Sequence, residues 1–68
     1  PVPAHDLIRI VNGRSVVRYR ILSITGATLQ EGRPMNSAIQ VDRVPIGVHV
    51  LELFDAEGGR TSLRIVKE

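Results

Sequence analysis

Apolar and polar residues alternate along most of this chain with a period of two, broken by glycine and proline at intervals of roughly 8–12 residues. Leu7 to Val11 reads as a first strand, with Ile8 and Ile10 on one face and Arg9 on the other. Asn12-Gly13 follows, a two-residue hairpin signal, because both central positions of such a turn must accept positive φ. A second strand runs from Val16 to Ile24, with Val17, Tyr19 and Ile21 opposite Arg18 and Arg20. With Asn12 and Gly13 as the turn, Ile8 falls opposite Val17 and Ile10 opposite Ser15. That register keeps Arg9, Arg18 and Arg20 outside, whereas a slip of one residue would bury them at a large desolvation cost.

Thr25-Gly26 breaks the second strand, and Thr28 to Gln30 resumes briefly before a polar loop from Glu31 to Ser37. Ala38 to Val41 is a short strand contributing Ile39 and Val41. Val44-Pro45-Ile46-Gly47 is a turn, since Pro45 fixes its own φ and Gly47 can take angles other residues avoid. Val48 to Asp55 is the longest strand and stops at Glu57-Gly58-Gly59. Thr61 to Lys67 closes the chain, with Leu63 and Ile65 on one face and Ser62, Arg64 and Val66 on the other. No stretch carries a helical period. The pattern predicts an all-β fold, a small antiparallel β-sandwich of about six or seven short strands in a single domain over residues 1–68. Its expected core is Ile8, Ile10, Val17, Tyr19, Ile21, Ile39, Leu51, Leu53, Leu63 and Ile65, with the basic final strand as an edge.

Composition narrows the picture. With 68 residues there is room for one core, and with no cysteine no disulfide can reinforce it. Tyr19 and Phe54 are the only aromatics, so the core is aliphatic. A margin this thin suggests support from an upstream domain of the same protein or from a second copy paired edge to edge. The chain opens on Pro1 rather than methionine, from which a longer parent polypeptide is expected. The net charge is +2, from eight arginines and one lysine against seven carboxylates. A dense basic patch interleaved with stacking aromatics is not visible, so a nucleic-acid partner is not expected. No apolar run approaches the ~20 residues of a membrane-spanning helix.

Candidate chemistry is sparse. His5 beside Asp6 suggests a metal or acid–base pair, but adjacent strand residues face opposite ways, and a solvated histidine at a strand entrance is the expectation. His49 shares a face with Leu51 and Leu53 and is expected half-buried at the end of the core, bonded through one ring nitrogen. Asp55 and Glu57 resemble the start of a calcium loop without its remaining ligands. No phosphate loop, nucleophile elbow or Ser/His/Asp set is present, so no enzyme activity, catalytic residue, metal or cofactor is expected. Arg9, Arg18, Arg20 and Arg64 form either a solvated stripe or a docking surface for an acidic partner, since arginine pairs carboxylates in bidentate fashion.

Taken end to end, the order of these features resembles the C-terminal sorting domain of proteins exported by the type IX (Por) secretion system of Bacteroidetes. Pro1-Val2-Pro3-Ala4 leading into Leu7–Ile10 resembles the family's opening segment, and Val16 through Gly26 its central strand with a turn glycine. Ile39–Asp42 followed by Val44-Pro45-Ile46-Gly47 resembles the short strand before a Pro-x-Gly turn, and Leu63–Glu68 the closing strand with its basic end. The chain departs from the family pattern at Val2, Ser23, Ala27 and His49.

The resemblance implies an immunoglobulin-like sandwich at the end of a longer cargo protein. It implies passage through the periplasm, recognition by the outer-membrane secretion machinery, and delivery to the outer membrane, the cell surface or the medium. In many such proteins a sortase-like peptidase then removes the domain. By position it points to Gly26, Pro45, Gly47, Ile65, Val66 and Lys67 as recognition elements, although the turns alone would require the first three. The alternative is an immunoglobulin-like structural or adhesive module at the cell surface that carries no export information.

Overall fold

A strand that is apolar on one face needs an apolar layer opposite it, and two packed sheets are the smallest arrangement that supplies one. The computed structural model, which describes residues 2–10 and 15–68, builds those layers from seven strands: β1 (Val2–Ala4), β2 (Leu7–Arg9), β3 (Val16–Leu22), β4 (Thr28–Gly32), β5 (Ala38–Gln40), β6 (Gly47–Asp55) and β7 (Arg60–Lys67). The larger sheet has the order β1-β7-β6-β3-β4, and β2 pairs with β5 in the smaller one. All pairings are antiparallel except that β1 runs parallel to β7. The fold is the all-β sandwich that the alternation predicts.

Ile8 and Ile39 from the small sheet meet Tyr19, Ile21, Leu51 and Ile65 from the large one, and Val41 and Val44 fill the opening between β5 and β6. Ile10, Leu53 and Leu63 pack against this cluster from its margins. Each fully covered aliphatic side chain contributes about 1.5–3 kcal/mol relative to exposure.

Four expectations change. The described structure pairs Ile8 with Ile39 rather than with Val17, because β2 and β3 belong to different sheets. Alternation dictates which side chains face inward, but it is satisfied equally by strands side by side and by strands stacked across a core. Here the second arrangement lets β2 and β5 cover the inner face of β3, β6 and β7. The Asn12-Gly13 turn itself lies outside the described residues. Val17 is exposed, because a bulge between Val16 and Arg18 inserts one residue into β3 and shifts its alternation. Val44, read as a turn residue, is buried. Finally, β7 is an edge only in part: β1 pairs with Ile65–Lys67, so Lys67 is flanked, whereas Arg60 and Arg64 lie on the stretch of β7 that has no second neighbour among the described residues.

Turn chemistry sets the ends of the strands. Ser23 closes the β3–β4 turn: its backbone N–H donates to Ala27 O at 2.8 Å, and its Oγ accepts the Ala27 N–H at 3.1 Å. Gly26 in that turn has φ +95°. Met35 and Ala38 exchange two 3.0 Å backbone bonds around Asn36 and Ser37, whose φ values of +53° and +58° are those of a type I′ turn. At the β6–β7 hairpin, Asp55 Oδ1 accepts the N–H groups of Glu57 and Gly59 at 2.9 and 2.7 Å.

Candidate recognition site

Register determines what the sheet gathers at its ends. β6 begins where β7 finishes, with Gly47 opposite Lys67, Val48 opposite Val66 and His49 opposite Ile65. β3 ends on the same side, since Leu22 lies opposite Val50. The Ser23–Ala27 turn therefore projects from the end of the sheet that also carries Pro45, Gly47 and the tail of β7. All six residues singled out from the sequence, Gly26, Pro45, Gly47, Ile65, Val66 and Lys67, belong to this one end.

They differ in accessibility. Ile65 has no exposed surface, so its side chain serves the core and is out of reach of anything that binds the folded domain. Val66 is half-buried on the opposite face. Lys67 is only 9 % exposed, so its alkyl stem lies against the sheet, and no carboxylate pairs with it among the described residues. Pro45 and Gly26 are exposed, and a Cβ added to Gly26 or Gly47 would meet nothing within 4 Å. Glycine is required at these two positions by φ values of +95° and +133°, not by crowding.

His49 fastens this corner. Its Nε2 lies 2.6 Å from the Pro45 carbonyl oxygen, and since that oxygen only accepts, Nε2 carries the proton. His49 is buried, and its Nδ1 has no hydrogen-bond partner among the described residues. The bond spans four residues and holds the Pro45–Gly47 turn against β6. A histidine closely following a Pro-x-Gly turn is the sequence signal that could have revealed it.

The remaining chemical candidates are placed as structural groups. His5 is exposed, with Nε2 3.1 Å from Glu68 Oε1, which joins the chain's opening segment to its last residue. Asp55 is engaged by the amides of its own hairpin. Among the described residues no three His, Cys, Asp or Glu side chains converge as a metal site would need. A groove of about 710 Å³ runs between β4 and the β5–β6 connection, lined in part by Tyr19, Gln30, Arg43 and Pro45. Gln30 Nε2 donates to Tyr19 Oη at 2.8 Å and to Gln40 O at 2.7 Å, tying the two sheets together along this groove.

The expected arginine stripe divides. Arg9 is on β2 in the small sheet, whereas Arg18, Arg20 and Arg64 share the outer face of the large one. Arg18 and Arg20 lie 4.3 and 5.5 Å from the centroid of the Phe54 ring. Glu52 stands between Arg20 at 3.6 Å and Arg60 at 3.8 Å. The alternation of the sequence places these arginines outward, but Phe54 as their common platform emerges only from the β3–β6 register. No family model, curated protein or solved structure matches this chain.

Proposed function

We propose that this chain is a C-terminal sorting domain of the type IX kind, read in the periplasm by the outer-membrane secretion machinery so that the protein carrying it is moved to the cell surface or released. Its role is to be bound in the folded state, without catalysis of its own. The observation that carries the reading is the gathering of Pro45, Gly47, Val66 and Lys67 at one corner of the sandwich, closed by the His49–Pro45 hydrogen bond. These are the positions at which the sequence resembles that family. The Ser23 turn supports it further: serine replaces the usual acidic or amide residue there, yet its oxygen still caps the turn before Gly26. In such a system a sortase-like peptidase would act upstream of the domain.

The test is export of a reporter fused ahead of residues 1–68 in a host that carries this secretion system. Surface delivery is expected with the intact domain and abolished when β7 is removed. Lys67→Ala should leave the fold intact and reduce delivery. A reporter that remains in the periplasm with the intact domain attached would contradict the reading and favour a structural surface module.

A further inference from the structure

We infer that the outer face of the large sheet is a docking surface for a polypeptide that presents aliphatic side chains beside carboxylates. β6 is apolar on both faces. Inward it carries His49, Leu51 and Leu53; outward it carries Val48, Val50, Glu52 and Phe54. A strand with this pattern is ordinarily covered on both sides, yet the small sheet covers the inner side only. Register extends the outward row sideways, with Leu22 beside Val50 and Val66 beside Val48. Ile24 and Ile46, 73 % and 80 % exposed, project from the turns at the same end.

The other half of the face is basic. Arg18, Arg20, Arg60 and Arg64 stand around Phe54 and Ser62, and Glu52 is the one carboxylate that β6 and β7 contribute to this face, already placed between Arg20 and Arg60. Arg20 Nε is buried and has no hydrogen-bond acceptor among the described residues, since Glu52 is 3.6 Å away. Stacking on Phe54 holds the exposed Arg18 guanidinium over the ring, leaving its edge free to donate to carboxylates, whereas Arg20 faces Glu52.

Charge and shape select the occupant. A second copy docked through this face would oppose its own arginines, so self-association here is disfavoured. A lipid surface is disfavoured because the apolar row shares one sheet face with Arg18, Arg60, Arg64 and the Glu52 carboxylate, so inserting it would desolvate those charges. A polypeptide can send aliphatic side chains down onto the valines and carboxylates onto the arginines. This surface adjoins the corner implicated in sorting through Val66, Ile24 and Ile46, its basic half lies apart from that corner, and its chemistry holds whether or not the export reading does.

The experiment is selection of a displayed library of random peptides of about 16 residues against the intact chain, long enough to span the ~20 Å outward row of β6. Recovered peptides should combine an aliphatic run with several Asp or Glu. Their amide chemical-shift footprint should fall on Arg18, Val48, Val50 and Arg64. Arg18→Glu with Arg64→Glu, both at exposed positions, should weaken binding by about tenfold or more with the thermal transition preserved. Val48→Asp should do the same from the apolar half. Recovery of no peptides, of peptides without carboxylates, or of a footprint on β2 and β5 would overturn the inference. So would binding only to vesicles containing about one-third anionic phospholipid.

Discussion

Single residues hold this sandwich at backbone angles and buried contacts that can be tested one at a time. Ser37 occupies the second central position of a type I′ turn at φ +58°, where a side chain is strained and glycine is favoured. Ser37→Gly should therefore stabilise the domain by about 0.5–1 kcal/mol after the unfolded-state entropy of glycine is counted. For a domain this small that raises Tm by several degrees, measurable by circular dichroism. Gly26→Ala should act in the opposite sense by about 1 kcal/mol, because φ +95° is costly for alanine even though space is open. His49→Ala removes the 2.6 Å bond to Pro45 and leaves a void at the sheet end, at a cost of about 2 kcal/mol in urea unfolding. The unusual angle at Gly47 was legible, since a glycine closing a Pro-x-Gly turn is read as taking angles other residues avoid, and it has φ +133°. The strain at Ser37 was not, because serine gives no signal for a left-handed angle and its loop read only as polar.

At the scale of elements, strand existence was written in the alternation but strand partnership was not. Ile8, Tyr19, Ile21, Leu51 and Ile65 were all assignable to the core because period two separates them from Arg9, Arg18, Arg20 and Arg64. The same pattern could not say that β2 turns away from β3 to pair with β5, nor that the N-terminal segment adds beside β7. Those choices depend on which layer needs covering, a property of the assembled sandwich. Nor could it reveal the bulge that exposes Val17, since an inserted residue leaves no compositional mark. The recognition corner was named in sequence terms as two turns and a tail, and only the β6–β7 register joins them. The three-pair β2–β5 sheet is the slighter layer, while β6 and β7 are paired along eight positions. Amides of β6 and β7 should therefore exchange slowest with deuterium and those of β2 and β5 sooner. Gln30→Ala, which removes its bond to Tyr19 within the large sheet and its bond across to Gln40 in the small one, should lower stability by about 1–2 kcal/mol and speed exchange at Gln40 and its neighbours.

As a whole molecule the described chain has a radius of gyration of 11.0 Å, that of a fully folded chain of this length. One aliphatic core holds both sheets, and Ile65 with Leu63 makes the chain's last strand part of that core instead of a loose tail. Ile65 and Lys67 are covered while Val66 is half-buried on the outer face, so the same strand both completes the fold and lies beside the Pro45–Gly47 turn. On the sorting function we propose, the signal is a three-dimensional object, and its separate pieces should carry no address. Ile21 lies outside the corner and is fully buried, so Ile21→Asp destroys the core while leaving Gly26, Pro45, Gly47, Val66 and Lys67 in the sequence. The decisive measurement is the surface-exposed fraction of a reporter fused to this variant and to the parent domain, compared at equal total reporter. Delivery by the parent and periplasmic retention of the Ile21→Asp fusion is the predicted result. Equal delivery of both, or of neither, would contradict it.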